Sequence, residues 1–265
     1  MCILLIAIDA VLDWPVLLLG NRDEFHSRAT LAAQPWQGAA DCLGGLDRVG
    51  GGSWLAQRND GRFAAVTNLR SGIPAQAPKS RGMLVRDFVI GNRPAAEFAR
   101  HVLAEIQQYG GFNLVFGDRS AVWLIDGHSA TVQRLGAGVH VVGNGPFDSA
   151  WPKHERLRSN FVRTANAGWR DDASLLALLA DTRQADDAEL PDTGVGIERE
   201  RLLSPIFIRG EHYGTRASSL VMQHSDGTLH FCERSFAAQG IPSGDVSWDC
   251  LSISGEWRLG DGVED

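Results

Sequence analysis

An unbroken apolar run, Ile3-Leu4-Leu5-Ile6-Ala7-Ile8, stands almost at the start of the chain and constrains the fold more than any other stretch. Its length and its branched residues predict a β-strand. A strand at that position holds the terminus inside a sheet instead of leaving it to fray. A second apolar run, residues 16–19, follows through Asp13, Trp14 and Pro15, and the pair reads as a hairpin.

The residue just before the first run is Cys2. A small residue after the initiator Met allows an aminopeptidase to remove Met1. Cys2 then carries a free α-amine beside its thiol. The thiolate is the nucleophilic form of cysteine, and an N-terminal nucleophile can use its own amine as the base. A small second residue also occurs in many chains for unrelated reasons. The other cysteines, Cys42, Cys232 and Cys250, lie far apart, with no CxxC pair and no zinc spacing. They read as small apolar fillers in a reducing, cytoplasmic setting.

The remaining punctuation predicts alternating β and α blocks. Strands are expected at 53–57 and 63–68 around Asn59-Asp60-Gly61, a tight-turn signal. Helices follow: one capped by Ser80 and running to Val89, and one opened by Pro94 with Phe98, Val102 and Ile106 on one face. Strands return at 113–116, 122–125, 131–135 and 139–142. Residues 152–167 read as a helix stopped by Gly168, and Asp171 or Asp172 caps another. Residues 184–196 read as an acidic exposed loop. Strands at 206–209, 218–224 and 228–233 close the pattern. The order predicts one α+β domain over residues 1–265, built as a layered sandwich.

Composition excludes several classes. The formal net charge is −7, the wrong sign for a nucleic-acid surface. Asp9 and Asp13 interrupt the first apolar region, which lacks a basic leader, so an export signal is not expected. No stretch reaches the length of a membrane span. Gly194-Val195-Gly196 has no strand before it, so it is not a dinucleotide fingerprint.

The second chemical signal is Asn21-Arg22-Asp23-Glu24, directly after the second apolar run. In a hairpin, Arg22 and Asp23 come near Cys2. An Arg there favours the thiolate, and an Asp can hold the α-amine. A solvated turn with a surface ion pair is the alternative.

Met1-Cys2-Ile3 with Asn21-Arg22-Asp23-Glu24 resembles the NRDE family, the relatives of the transport-and-Golgi-organisation protein. Further matching stretches are Gly51-Gly52-Ser53-Trp54, Thr67-Asn68, Ser80-Arg81-Gly82, Tyr109-Gly110-Gly111-Phe112-Asn113, Gly143-Asn144-Gly145, Trp151-Pro152-Lys153 and Tyr213-Gly214-Thr215-Arg216. That family is similar in turn to cysteine N-terminal-nucleophile hydrolases of the choloylglycine hydrolase and penicillin acylase kind. The resemblance implies a four-layer αββα sandwich. It implies Cys2 as nucleophile, Arg22 and Asp23 as tuning and orienting groups, and Asn68 and Asn144 near the oxyanion. It also implies Arg201 as a further active-site arginine. Asn21, Glu24, Arg70, Arg81 and Arg216 are candidate ligand-binding residues, the arginines for an anionic group such as phosphate or carboxylate. Each Asn also fits a turn residue bonded to its own backbone.

Two functions follow as expectations. One is hydrolysis of a small N-acyl amide with no cofactor required. The other, implied by the family, is binding and trafficking of haem or of acyl-CoA or lipid on the same scaffold, with His128, His140 or His212 as candidate haem ligands. The oligomeric state is left open.

Overall fold

The computed structural model describes residues 2–70, 77–147, 149–169, 171–251 and 255–260, and of Cys2 the main chain. The first hairpin is longer than its apolar centres. β1 (Cys2–Val11) and β2 (Trp14–Phe25) turn through Asp13, which sits at φ 65°, a left-handed conformation that Asp tolerates better than most residues. The polar run 21–24 lies inside β2, not in a turn after it. The whole run pairs with β11 (Tyr213–Gln223), and Asn21 and Arg22 pair with β1 as well. Ladder pairing occupies the backbone and leaves the side chains to decide which layer they enter.

Among the described residues the strands form two seven-stranded antiparallel sheets. In the first, β10 (Gly138–Val142), β1, β2, β11, β12 (Leu229–Phe236), β13 (Pro242–Cys250) and β14 (Trp257–Leu259) are neighbours in that order. In the second, β3 (Thr30–Trp36), β4 (Ala39–Asp47), β5 (Leu55–Arg58), β6 (Phe63–Asn68), β7 (Phe112–Gly117), β8 (Val122–Asp126) and β9 (Thr131–Leu135) follow in chain order.

Alternation along β1 explains why its apolar run is unbroken. Leu4 and Ile6 enter the core between the sheets with Leu18, Phe63 and Val115. Ile3 and Leu5 enter a second core under α3 (Pro152–Ala167) and α4 (Asp172–Leu176), against Leu157, Phe161 and Leu175. A strand buried on both faces has no polar side. The second sheet is covered by α1 (Gly82–Ile90) and α2 (Ala95–Ala104), whose Phe88 and Phe98 pack on Phe116. The result is helix, sheet, sheet, helix, the expected αββα sandwich. Fully burying one such Leu or Phe contributes about 1.5–3 kcal/mol.

Several expectations need correction. The stretch 206–209, buried at Ile206, Phe207 and Ile208, is not a strand. The Ile206 carbonyl accepts from Asn21, while Ile208 exchanges both main-chain bonds with Thr215, one of them through the Thr hydroxyl. Side chains thus replace a ladder there. Arg81 rather than Ser80 stands at the cap position of α1, with no side-chain cap bond. α2 ends at Ala104, and Ile106 opens a separate 3-10 turn. β3, β4, β13, β14 and the short helix α5 (Ile197–Leu202) have polar or Gly/Pro-bearing sequences and were not expected.

Candidate active site

The hairpin register sets the site. Cys2 and Arg22 are Cα partners on the β1–β2 ladder. On the other flank of β1 the last ladder pair is Leu4↔Val142. Asn144 follows two residues after the end of β10. β1 thus has Arg22 of β2 opposite its first residue, and β10 on its other side.

A cleft of about 350 Å³ opens here, lined among others by Arg22, Asp23, Glu24, Trp54 and Asn68. The Arg22 guanidinium is 5% exposed and lies over the Trp54 ring, 4.5 Å from its centroid. Its nearest carboxylate is Glu24, at 3.9 Å. Among the described residues its buried Nη1 meets no acceptor. A buried cation with free donors attracts an anion or a carbonyl oxygen. At the rim, Arg28 grips Asp47 through Nε and Nη2, at 2.9 and 2.7 Å, and reaches Glu24 at 3.8 Å. Lys79 and Arg81 complete the rim; Lys79 pairs with Glu105 and Arg81 donates to the Gly111 carbonyl.

Asp23 faces the other way, toward the helical layer. It is 2% exposed and accepts from the Thr215 hydroxyl at 2.7 Å. Burial pushes its carboxyl up. The positive charge of the chain's N-terminus, Lys153, the Thr215 bond and Arg70 pull it back in part. Thr215 and Lys153 were missed as site residues although both lie in quoted motifs. Pro152 at the start of α3 is the signal for Lys153, because it sets the helix origin and so turns the next residue inward.

The Asn68 and Asn144 segments are tied together. Asn144 Nδ2 donates to the Asn68 carbonyl at 2.8 Å, and the Arg70 amide donates to the Asn144 carbonyl at 2.7 Å. The Gly143 carbonyl accepts from the Thr67 hydroxyl and from Asn113, and Asn113 also bonds the Gly145 carbonyl. A side chain at Gly143 would place its Cβ 2.1 Å from His154 Nε2. The glycine is thus required by the close approach of α3. His154 is neutral, pushed down to about 4 chiefly by burial. Gly52 has the same kind of role, since its Cβ would lie 2.2 Å from the Gly82 carbonyl carbon at the start of α1. Two glycine motifs far apart in sequence are thereby pressed together at the cleft wall.

Other candidates lie elsewhere. Arg201 is the correction of most consequence: it points outward from α5, 35% exposed, and pairs with Asp187 and Glu198. On so short a helix the neighbouring Glu200 takes the inward position and pairs with Arg70. Asn21 is 2% exposed and bonds Leu179, Ile206 and Ser218, so it fastens β2 to the helical layer rather than facing the cleft. Arg216 donates to the carbonyls of Phe25, His26 and Arg28 and lines a separate pocket of about 190 Å³ with Arg22, Trp54 and Glu233. His128, His140 and His212 do not line the cleft. Among the described residues no cluster of His, Cys, Asp or Glu is arranged to hold a metal ion.

The layers and the hairpin define an αββα sandwich whose first strand opens onto a charged cleft. The chain belongs to the Transport and Golgi organisation 2 family, whose model matches residues 1–238. It is 30% identical over 265 residues to the Transport and Golgi organization protein 2 homolog of Bos taurus, covering 92% of each chain. It is 27% identical over 275 residues to the Drosophila melanogaster protein, covering 93% of this chain and 94% of that one. Among solved structures it is similar to a penicillin V acylase from Agrobacterium tumefaciens, with TM-score 0.42 and 13% identity over 88% of this chain and 83% of that one. A mutant conjugated bile acid hydrolase from Clostridium perfringens gives TM-score 0.46 and 10% identity over 98% and 97%. Among the described residues no helix is long and apolar enough to cross a membrane.

Proposed function

We propose that the mature chain is an N-terminal cysteine amidohydrolase acting on a small N-acyl amide. The Cys2 thiol passes its proton to its own α-amine and attacks the amide carbon. The C–S bond forms, the C–N bond breaks, and the proton goes to the departing amine. Water then cleaves the thioester. Arg22 favours the thiolate, Asp23 holds the α-amine, and Asn68 and Asn144 lie toward the developing oxyanion. The observation that carries this reading is the register that sets Cys2 opposite Arg22, with Asn144 just past the end of β10, the strand on the other flank of β1. Cys42 and Cys232 are poor rival nucleophiles, since burial pushes both thiols up to about 12. All three described cysteines are free, in keeping with a reducing cytoplasm.

A second reading is a carrier of haem, acyl-CoA or another acidic lipid derivative on the same scaffold. It is favoured by the unpartnered Nη1 of Arg22 in a cleft rimmed by Arg28, Lys79 and Arg81. One experiment separates the two: the mass of the purified protein, native and then denatured. Loss of Met1 with an acyl group on Cys2, and loss of N-acyl amide hydrolysis in Cys2→Ala, is the result expected. Retained Met1, or a haem or acyl-CoA released on denaturation, overturns the hydrolase in favour of the carrier.

A further inference from the structure

Arg22 and Trp54 line two cavities, the cleft of about 350 Å³ and the smaller pocket of about 190 Å³, so their stack stands where the two meet. The smaller pocket runs inward from exposed Leu31, Ala32 and Ser243 to buried Ala217 and Glu233. The ladders fix its place. Ala217 is the Cα partner of Arg22 on β11, and Ser235 is the partner of Ala217 on β12. With Cys2 opposite Arg22, the four residues form one row across the first sheet. Neighbouring strands are spaced about 4.8 Å apart, so Ala217 and Ser235 stand roughly 10 and 14 Å across the sheet from Cys2. An anion held at that distance is not the oxyanion of a reaction at Cys2.

The pocket holds more positive than negative charge. Arg22 and Arg216 bring two guanidinium groups, and Glu233 brings one carboxyl. Glu233 is 1% exposed, and its two oxygens accept from the Ala33 amide and the Ser219 hydroxyl, both at 2.9 Å. Among the described residues it forms no ion pair with either arginine; the nearest carboxylate to Arg22 is Glu24, which lines the cleft and not this pocket. Arg216 donates through Nη1 to three main-chain carbonyls, while its Nη2 meets the Thr30 hydroxyl at 3.4 Å.

Two buried donors at the stack are left over. The Arg22 side chain is 5% exposed and its Nη1 has no acceptor among the described residues, and neither has the indole Nε1 of Trp54. A buried donor without an acceptor costs about 1–3 kcal/mol, and more on a charged group. An oxyanion seated against the pair supplies the missing acceptors and the missing charge together.

We propose that the smaller pocket is an anion subsite separate from the reaction centre, taking the carboxylate or phosphate end of a ligand against Arg22, Trp54 and Arg216. The subsite stands on the pocket alone and needs no turnover at Cys2.

The test is an NMR titration of the full chain, isotope-labelled at tryptophan, with the Trp54 indole N–H assigned by Trp54→Phe. Inorganic phosphate and succinate are added in separate series. A saturable shift at Trp54 is expected, and the anion that saturates at lower concentration identifies the group as phosphate or carboxylate. Ser235→Leu, which fills the pocket from β12, and Arg216→Gln should each raise the half-saturation concentration about tenfold or more. Arg81→Gln, at the rim of the cleft, should leave it unchanged. No saturation with either anion overturns the proposal. So does binding that Arg81→Gln weakens and Ser235→Leu spares, because the ion then sits in the cleft. Should Arg216→Gln not fold, Ser235→Leu decides alone. Cys2→Ala should bind as the wild type does. Binding without any amide hydrolysis in the wild type removes the hydrolase and leaves the subsite; hydrolysis with no shift at Trp54 does the reverse.

Discussion

Asn144 donates its side-chain amide to the main-chain carbonyl of Asn68 over 2.8 Å, tying the loop after β10 to the end of β6. The tie joins the two sheets where β1 begins. Asn144 is fully buried, and among the described residues its Oδ1 has no partner. Asn144→Ala is expected to lower stability by about 1–2 kcal/mol in urea unfolding. Amide turnover should fall about a hundredfold, since a lost oxyanion donor costs far more in rate than in stability. A variant that loses only stability would confine Asn144 to holding the loop.

Gly143 leaves no room for a methyl group, because the His154 ring occupies that space. Gly143→Ala should destabilise the protein by about 1–3 kcal/mol through overpacking. Adding His154→Ala should recover part of that loss by making space. Thermal unfolding of the single and double variants checks this, and an additive double variant would show the clash to be relieved elsewhere.

His230 bridges two elements, with Nδ1 2.6 Å from Asp249 on β13 and Nε2 2.8 Å from Asp172 on α4. Burial disfavours its charge, but the two carboxylates outweigh burial and push it up to about 9 from the ordinary 6.5. The folded state therefore holds the proton more tightly than the unfolded state. The resulting stability is fully present below about pH 6.5 and is lost as pH rises through about 9. Its size is of order 3 kcal/mol. His230→Gln should flatten the fall in urea midpoint between those pH values, and an unchanged slope would count against the bridge.

Thiol accessibility gives a direct check on the nucleophile. Cys42, Cys232 and Cys250 are buried, and burial raises all three thiols. Iodoacetamide on the native protein near pH 7.5 should modify Cys2 alone, and denaturation should expose all four cysteines. Early labelling at Cys232 or Cys42 would contradict the burial described here.

What could be read from the sequence followed local rules. Residues 152–167 carry Pro at the start and Gly at the stop, and α3 has those bounds. Asp171 caps α4 by accepting from the Ser174 amide at 2.8 Å, as its position suggested. The hairpin at 122–135 turns just after Asp126, where Asp126-Gly127 signals it. Strands without a local pattern were not legible. β13 is mostly exposed or half-buried and is held by its ladder to β12 rather than by its own apolar residues. β4 carries Gly44 and Gly45 and is held by its ladders to β3 and β5.

The sequence by itself determined the first hairpin, the alternation of β and α blocks and the motifs that mark the family, because turn, cap and apolar-run signals act over a few residues. Only the tertiary structure decided which face each polar residue of β2 enters. Neighbouring residues on a strand point to opposite layers, so Arg22 meets Trp54 between the sheets while Asn21 and Asp23 turn toward the helices. It also decided that Glu200 and not Arg201 faces inward, where it pairs with Arg70. Those charges lie on separate elements, and a counter-charge that is distant in sequence leaves no local trace. Only folding brings its partner within reach.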